Sequence, residues 1–492
     1  MDAAVIVVGA GPTGLMLAGE LRLAGADVIV LERCEGPAGQ SRGLGFTSRT
    51  MEIFDQRGLL PRFGPMVTGD TGHFAGIPLD FGVLGAVHRA AKTVPQSQTE
   101  AVLTDRALEL GADLRRGAEV TDVVAGDEEV EVVVRDAAGT GRLRAAYVVG
   151  TDGGRSTVRR SVGFAFPGTG STREMMLADV RGIDVAPRMT GERLPGGTVM
   201  AAPLPDGTTR LVVIEHGTHP GDRAAPLTYD DVVTAWKRLT GEDISHGEPV
   251  WLSAFGDAAR QVTRYAKGRV LLAGDAAHIH LAAGGQGMNV GVQDALNLGW
   301  KLAAVTRGHC PATLLDSYHD ERHPVGERVL LNTRAQGHLI LGDDAVQPLW
   351  NVLAELTRYP DVQRHLAAMV SGSEIRYDLA AGSHPLLGRR LPHWETTTAN
   401  GATSTTALLR TGRGLLLDLA GSAVLGARAA AWTHRVDLVT AVGPTTGEAA
   451  GATSAVLVRP DGHVAWAAPG THQGLTWALE RWFGPPRAGR NK

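Results

Sequence analysis

Between Val5 and Glu32 the chain reads as one tight supersecondary unit, and that unit limits the fold more than any other stretch. Val5 to Val8 is a short apolar run suited to a buried parallel strand. Gly9-Ala10-Gly11-Pro12-Thr13-Gly14 matches GxGxxG. Leu15 to Ala24 carries helical apolar spacing, with Leu17, Leu21 and Ala24 able to share a face, and Gly25 stops that helix. Val28 to Leu31 is a second buried strand. A βαβ unit of this kind predicts an α/β, Rossmann-like, doubly wound sheet. Gly9 permits the tight turn, Gly11 lets backbone approach a pyrophosphate, and Gly14 lets helix and strand pack closely. Amides at the helix start then face the phosphate charge. Glu32 closes the second strand, where a carboxylate accepts hydrogen bonds from ribose hydroxyls and disfavours a 2′-phosphate. A glycine-rich loop alone is often just a turn; here the strand, the helix and the terminal acid are all present. The unit does not separate FAD from NAD.

The rest of the chain is long enough for two or three domains, and its 492 residues are 43% hydrophobic, ample for sizeable cores. A formal net charge of -4 and the lack of a long basic run give no bias toward nucleic acid or anionic membrane. Cys34 and Cys310 are the two cysteines and form neither a CxxC pair nor a zinc cluster. That usage suits a reducing cytoplasm. No signal-peptide pattern opens the chain and no apolar stretch of about 18 residues is present, so a cytoplasmic protein without a membrane partner is expected.

Ala146–Gly150, ending in Thr151-Asp152-Gly153-Gly154, and Arg269–Ala273, ending in Gly274-Asp275, read as further strands of the parallel sheet. Between them, roughly 174–255, the pattern changes to an antiparallel sheet with a hairpin turn at Pro205-Asp206-Gly207. Long helices are predicted over 287–308 and 314–341. Residues 382–392 read as a linker. Beyond it, strands near 436–439, 455–458 and 463–467, a turn at Pro460-Asp461-Gly462 and a terminal helix around 475–482 make a small α/β unit.

Two further motifs favour FAD. Asp275 at a strand end can bind a hydroxyl of a ribityl chain. Gly284-Gly285-Gln286-Gly287-Met288-Asn289 opens a helix whose dipole can stabilise negative charge on a reduced flavin. Each feature alone has a plain structural reading; the two at this spacing make a flavin site.

GAGPTG at 9–14, TDGGRSTVR at 151–159 and GDAAH at 274–278 together resemble the class A flavoprotein aromatic hydroxylases, over nearly the whole chain. SRGLGFTSRTMEIFDQRGLLPRFG, AKTVPQSQTE, DSYHDERH and HPLLGRRLP resemble more closely the bacterial polyketide hydroxylases that modify angucyclines. The resemblance implies a discontinuous FAD-binding domain (1–72, 98–173 and 256–381). It implies a substrate domain (73–97 and 174–255) and, after the linker, a thioredoxin-like domain (393–492).

It also implies residue roles. Gly9, Gly11 and Gly14, with Pro12 and Thr13 between them, would hold the pyrophosphate. Glu32 and Arg33 would hold the adenosine end, and Val120 would offer backbone to adenine. Arg42 would lie near the pyrophosphate and the moving flavin, and Gln96 on the flavin side. Asp152 belongs to a DG motif linked to FAD and NADPH; its plain reading is a strand-end cap. Gly274 and Asp275 would meet the ribityl or pyrophosphate region. Gly285, Gln286, Gly287, Met288 and Asn289 would approach the isoalloxazine by backbone. His73, Phe74, Pro78 and Phe81 lie in a segment that faces the ring substrate or simply packs its own loop. His278 and His280 lack a carboxylate or cysteine set for metal and read as structural.

The implied reaction is NADPH-dependent hydroxylation of a polycyclic aromatic polyketide, angucyclinone-type, through O2 and a flavin C4a-hydroperoxide. Baeyer–Villiger insertion or another flavin oxidation, and a non-hydroxylating FAD-binding partner, stay open, as does the choice between monomer and homo-oligomer. Ala282 departs from the family pattern. Proline usually stands there, its carbonyl beside flavin C4a. Alanine keeps the carbonyl but is expected to free φ and loosen the loop. The last 100 residues hold no cysteine, so thiol redox chemistry in the thioredoxin-like unit is excluded.

Overall fold

A computed structural model describes residues 1–37, 39–41, 43–85, 88–219, 226–379, 382–443, 453–469 and 472–487. The expected βαβ unit forms from strand Ala3–Val8, helix Pro12–Leu23 and strand Val28–Glu32. Five parallel strands lie in the order Val270–Leu272, Gly139–Gly150, Ala3–Val8, Val28–Glu32 and Asp113–Arg116. Val5, Ile6 and Val7 are wholly buried, as strands covered on both faces must be. Strands Glu119–Ala125 and Val130–Asp136 form an antiparallel meander on the first half, 139–145, of strand Gly139–Gly150.

Helix Gln286–Thr306 runs beside helix Pro12–Leu23. A Cβ on Gly291 would stand 2.2 Å from Thr13 Oγ1, and one on Gly299 would stand 2.4 Å from Glu20 Cβ. Thr13 meets Gly291 and, two turns on, Glu20 meets Gly299. The helices therefore run in the same direction, with both N-termini at one end, and the glycines set their close approach.

The predicted antiparallel sheet spans Glu174–Gly256, with strands in the order Arg188–Leu194, Gly197–Pro203, Thr209–Glu215, Glu174–Arg181 and Glu248–Gly256. Alternation splits it into two faces. Ala178, Val180, Val199, Ala201, Leu211 and Val213 pack on Val232, Ala235 and Trp236 of helix Tyr229–Thr240. A capping box between Thr228 and Asp231 starts that helix and Gly241 ends it in the left-handed region. The opposite face carries Met175, Leu177, Val212, Ile214 and Phe255 toward the loop before helix Gln286–Thr306, where Met175 and Ile214 pack on Leu281, Ala283 and Leu341.

The C-terminal domain is thioredoxin-like: a six-stranded sheet in the order Gly401–Ser404, Glu395–Thr398, Val436–Val442, Gly414–Asp418, Ala455–Val458 and Val464–Ala468, flanked by helices Ala423–Ala429 and His472–Phe483.

Two boundaries differ from expectation. The segment 382–392 is no free linker: Leu386 and Leu387 are buried in the C-terminal core, and Arg390 bridges to His463. Its leucines outweigh the glycines and prolines that suggested a linker. Residues 73–97 do not join the 174–256 sheet. Thr71–Phe74 and Ile77–Asp80 form a separate hairpin, not an irregular segment, and Ala90–Pro95 pairs with Leu44–Phe46 and Val67–Gly69.

Candidate functional site

The fingerprint turn is built by close contact. Gly9 has φ +102, and a Cβ there would lie 2.7 Å from the Thr151 carbonyl oxygen. A Cβ on Gly14 would stand 2.0 Å from the Gly9 oxygen. A Cβ on Gly11, by contrast, would meet nothing within 4 Å. Gly11 borders open space at the start of helix Pro12–Leu23, which has no side-chain cap. Its first-turn amides and positive dipole end are thus free for an anion. Helix Gln286–Thr306 repeats the arrangement: Gly285 is its N-cap, it too lacks a side-chain cap, and a Cβ on Gly285 would meet nothing within 4 Å. Two uncapped N-termini at one end suit a pyrophosphate and a flavin ring. On these grounds the residues fit FAD.

The predicted positions that are described fall into three groups. At one end Glu32 Oε2 accepts from the Ala10 amide at 2.8 Å, and the Ala118 amide donates to the Glu32 carbonyl at 2.9 Å. Val120 is buried two residues on, in strand Glu119–Ala125, and Arg33 is exposed beside Glu32. In the middle, Pro12 opens the helix and Thr13 packs on Gly274, whose Cβ position lies 2.7 Å from Thr13 Oγ1. Asp275 is exposed just beyond. At the far end, a Cβ on Gly43 would lie 3.5 Å from Met288 Cε and 3.6 Å from Gln96 Oε1. The Gly43 amide donates to that Gln96 oxygen at 3.2 Å. Gln286 is buried and accepts from Asn332 at 3.1 Å; Gly287 lies next to the His280 ring. Asn289 accepts from the Thr47 amide at 3.0 Å and donates to the Gly285 carbonyl at 2.7 Å. Arg42 lies outside the described residues.

Asp152 has a structural job first. Its Oδ2 accepts from the Thr157 and Val158 amides at 2.6 and 3.2 Å, at the start of helix Thr157–Ser161. Its other oxygen, Oδ1, is buried without a partner. A buried polar atom of this kind asks for a ligand or water.

The flavin-side loop is held from behind by a group that motif reading missed. Asp294 is fully buried on helix Gln286–Thr306. Its Oδ2 accepts from the Gly274 amide at 3.1 Å and lies 2.8 Å from His278 Nε2, while Oδ1 accepts from Arg322 Nε at 2.7 Å. Burial alone would raise the Asp294 carboxyl, but Arg322 and His278 outweigh it and hold the group below the usual carboxylate range. His278 thereby ties the Gly274 turn to helix Gln286–Thr306. His280 Nδ1 lies 2.9 Å from the Leu281 carbonyl oxygen, and burial pushes its imidazole pKa down.

The Ala283 amide donates to the Leu281 carbonyl at 2.7 Å, closing a γ-turn around Ala282. Ala282 is not among the residues with positive φ. The turn is therefore the inverse form, with φ of about −75°, close to what proline would impose. In this conformation a hydrogen bond holds the φ that a proline ring would fix.

The four candidate substrate residues do not gather at this loop. Phe74 and Phe81 are buried with Leu79, Leu339 and Leu366 in a separate cluster. His73 Nδ1 accepts from the Gly76 amide at 3.2 Å, and Pro78 is exposed on the paired strand. The surface facing Leu281 and Ala283 is instead the sheet face of Met175, Val212, Ile214 and Phe255. The parity of Thr209–Ile214 was its only sequence signal.

Comparison with known proteins agrees with this geometry. A family described as "FAD binding domain" matches residues 2–333, and one described as "Aromatic-ring hydroxylase, C-terminal" matches 384–486. The chain is 45% identical to the 12-dehydrotetracycline 5-monooxygenase/anhydrotetracycline 6-monooxygenase of Streptomyces rimosus, covering 98% of this chain and 99% of that one. A solved structure of CabE, an aromatic hydroxylase from angucycline biosynthesis, superposes with a TM-score of 0.95 at 59% identity, covering 99% of this chain and 100% of that one. BexE, studied for oxidation during BE-7585A biosynthesis, superposes with a TM-score of 0.94 at 64% identity over the same shares.

Two outcomes follow from the packing. Gly11→Ala, at φ -75, should leave the melting temperature of the apoprotein unchanged and weaken FAD by more than about tenfold in equilibrium dialysis, whereas Gly14→Ala should fail to fold. For Asp294 the folded pKa is depressed, so its contribution is complete above the unfolded value of about 3.9 and fades as pH falls through the lower folded value. Asp294→Asn leaves the Arg322 charge buried without its carboxylate and should cost about 3–5 kcal/mol at neutral pH in a urea titration, with the difference from wild type shrinking below about pH 4.

Proposed function

Because the chain belongs to the FAD-dependent aromatic-ring hydroxylases, we propose that it is the NADPH- and O2-dependent hydroxylase of a polycyclic aromatic polyketide of the angucyclinone type. The observation that carries the substrate class is the apolar wall opposite the flavin loop. Met175 and Ile214 are buried against Leu281, Ala283 and Leu341, while Val212, Phe255 and Ile340 beside them keep part of their surface open. A flat, fused-ring molecule covers such a wall and leaves no room for water between itself and the loop. The resemblance to an angucycline-pathway hydroxylase favours an angucyclinone over a tetracycline.

FAD, when bound, supplies the oxygen activation, and the protein supplies place and dryness. The first-turn amides after Gly11 would neutralise the pyrophosphate, and Glu32, which now accepts from the Ala10 amide, would take the ribose hydroxyls. Val120 would flank the adenine, Asp275 would take a ribityl hydroxyl, and the unpartnered Asp152 oxygen would be free to accept from the cofactor. Gly287, Met288 and Asn289 would offer backbone to the isoalloxazine, with Gln96 on the flavin side. The Ala282 carbonyl, in its γ-turn, would lie beside the flavin. Leu281 and Ala283 exclude bulk water there, which protects reactive oxygen from breaking down to peroxide. No residue need act as a nucleophile.

One assay tests the reading: FAD-loaded protein with NADPH, O2 and an angucyclinone panel, following NADPH loss, peroxide and product mass together. At least one angucyclinone should stimulate NADPH oxidation and gain one oxygen atom on its ring. Absence of stimulation by any of them, or a ring-expanded lactone as product, would overturn it. In the same assay Ala282→Pro should form as much peroxide per NADPH as the native enzyme. It should also melt higher, by about 0.4–1 kcal/mol of added stability, because the turn already holds a proline-like φ. A clear fall in peroxide would show that the native loop is loose after all.

A further inference from the structure

The turn Arg459-Pro460-Asp461-Gly462-His463 joins two strands of the C-terminal domain, and every one of its residues is buried. Connecting turns almost always lie at the surface, because burial strands their polar groups. This one is inserted into the FAD-binding domain, and its polar groups are matched there.

Arg459 donates to both oxygens of Glu321 at 2.7 Å and also pairs with Asp461. Glu321 further accepts from Asn297 at 2.6 Å and lies 2.9 Å from Lys301, both on helix Gln286–Thr306. Next to Glu321 on helix Asp316–Ile340 is Arg322, which grips Asp294 and through it the Gly274 amide. On the other side, the Pro460 carbonyl accepts from Gln56 and from Arg57, each at 2.8 Å. Arg57 in turn pairs with both oxygens of Glu20 at 2.7 Å, and Glu20 sits on helix Pro12–Leu23 opposite Gly299. One turn of the C-terminal domain therefore touches, through at most one intermediate side chain, both helices whose N-termini face the cofactor.

We propose that the buried 459–463 turn is a positioning element for FAD, holding helices Pro12–Leu23 and Gln286–Thr306 in the relation that lets their two uncapped N-termini grip one cofactor, with Arg459 as its principal residue. This assigns the C-terminal domain a task that thiol chemistry cannot give it. The proposal rests on the FAD site alone and not on the identity of the substrate. The fork of Arg459 spans Glu321 and Asp461 together, and a lysine head offers no planar fork to do so. Because coupling between two sites is reciprocal, a turn that favours FAD binding must itself be stabilised when FAD binds.

The test uses the full chain. Amide hydrogen exchange is followed in the native protein with and without FAD. Peptides spanning 456–466 are compared with peptides spanning 395–404, on strands at the far edge of the same sheet. FAD should slow exchange at the turn by at least about tenfold more than at the edge strands, which feel only the general stabilisation of a bound ligand. In parallel, Arg459→Lys is assayed by equilibrium dialysis well below its melting temperature. Its FAD dissociation constant should rise at least about tenfold while far-UV circular dichroism is unchanged. Equal protection at turn and edge overturns the proposal, and so does a folded Arg459→Lys protein whose FAD affinity matches the native one. If Arg459→Lys does not fold, the exchange comparison on the native chain decides. Substrate turnover enters neither measurement, so failure here and failure of the substrate reading are distinguishable.

Discussion

The cofactor edge depends on two helices lying side by side with their N-termini together, and that arrangement depends on the absence of side chains. Gly291 and Gly299 leave room for Thr13 and Glu20, and Gly14 leaves room for the Gly9 carbonyl. A methyl group at any of these three points would push the helices or the turn apart by more than packing tolerates. The close crossing has a cost. Two positive dipole ends face the same space, and neither has a capping side chain. Such a pair is poised for a dianionic pyrophosphate and an electron-rich ring system, and is less well satisfied without them.

The sequence carried the local half of this site openly. Gly9, Gly11 and Gly14 obey steric rules that act within a few residues, and so does the acid at the end of the second strand. The Gly274–Asn289 stretch was legible for the same reason: a strand end, a turn and a helix start are all short-range objects. Asp294 and Arg322 were not legible, because their meaning lies in partners 16 to 28 residues away across buried space. The sheet face opposite the Leu281–Ala283 loop was hidden differently. Val212 and Ile214 alternate with Leu211 and Val213 in an apolar run of four residues, so both faces look the same there until register assigns one to helix Tyr229–Thr240 and the other to the Leu281–Ala283 loop. At Ala282 the γ-turn rests on a backbone hydrogen bond from Ala283 to Leu281, which side-chain types alone do not reveal.

Buried charge explains why the two large domains act as one body. Arg459, Glu321, Lys301, Asp461, Arg322 and Asp294 are all essentially inaccessible. Desolvating so many ions is expensive, and replacing them by apolar side chains is often neutral or stabilising in other proteins. Their gain here is directional. An apolar interface permits sliding, whereas a bidentate guanidinium–carboxylate pair fixes distance and angle at once. Trp482 and Trp300 lie 4.5 and 5.3 Å from the Arg459 guanidinium, so the ions are also walled off from water. The exchange is stability for precision, in the one place where a small tilt of a helix would move an amide relative to the cofactor.

A second buried ion pair stands on the sheet of the 174–256 domain. On the sheet face that looks at the flavin loop, the apolar run begins at Met175 and Ile214 and ends at Asp179 and Arg210, which face each other across the strands. Arg210 donates to both oxygens of Asp179 at 2.7 Å, and both are buried. Four residues along a strand span roughly 13 Å. The wall is thus an apolar strip of that length, closed at one end by the loop that carries Ala282 and at the other by an ion pair already satisfied. Under the proposed reading, a polycyclic ring system would meet this face as an apolar surface ending in a satisfied ion pair, and its own rings would help keep water from the flavin.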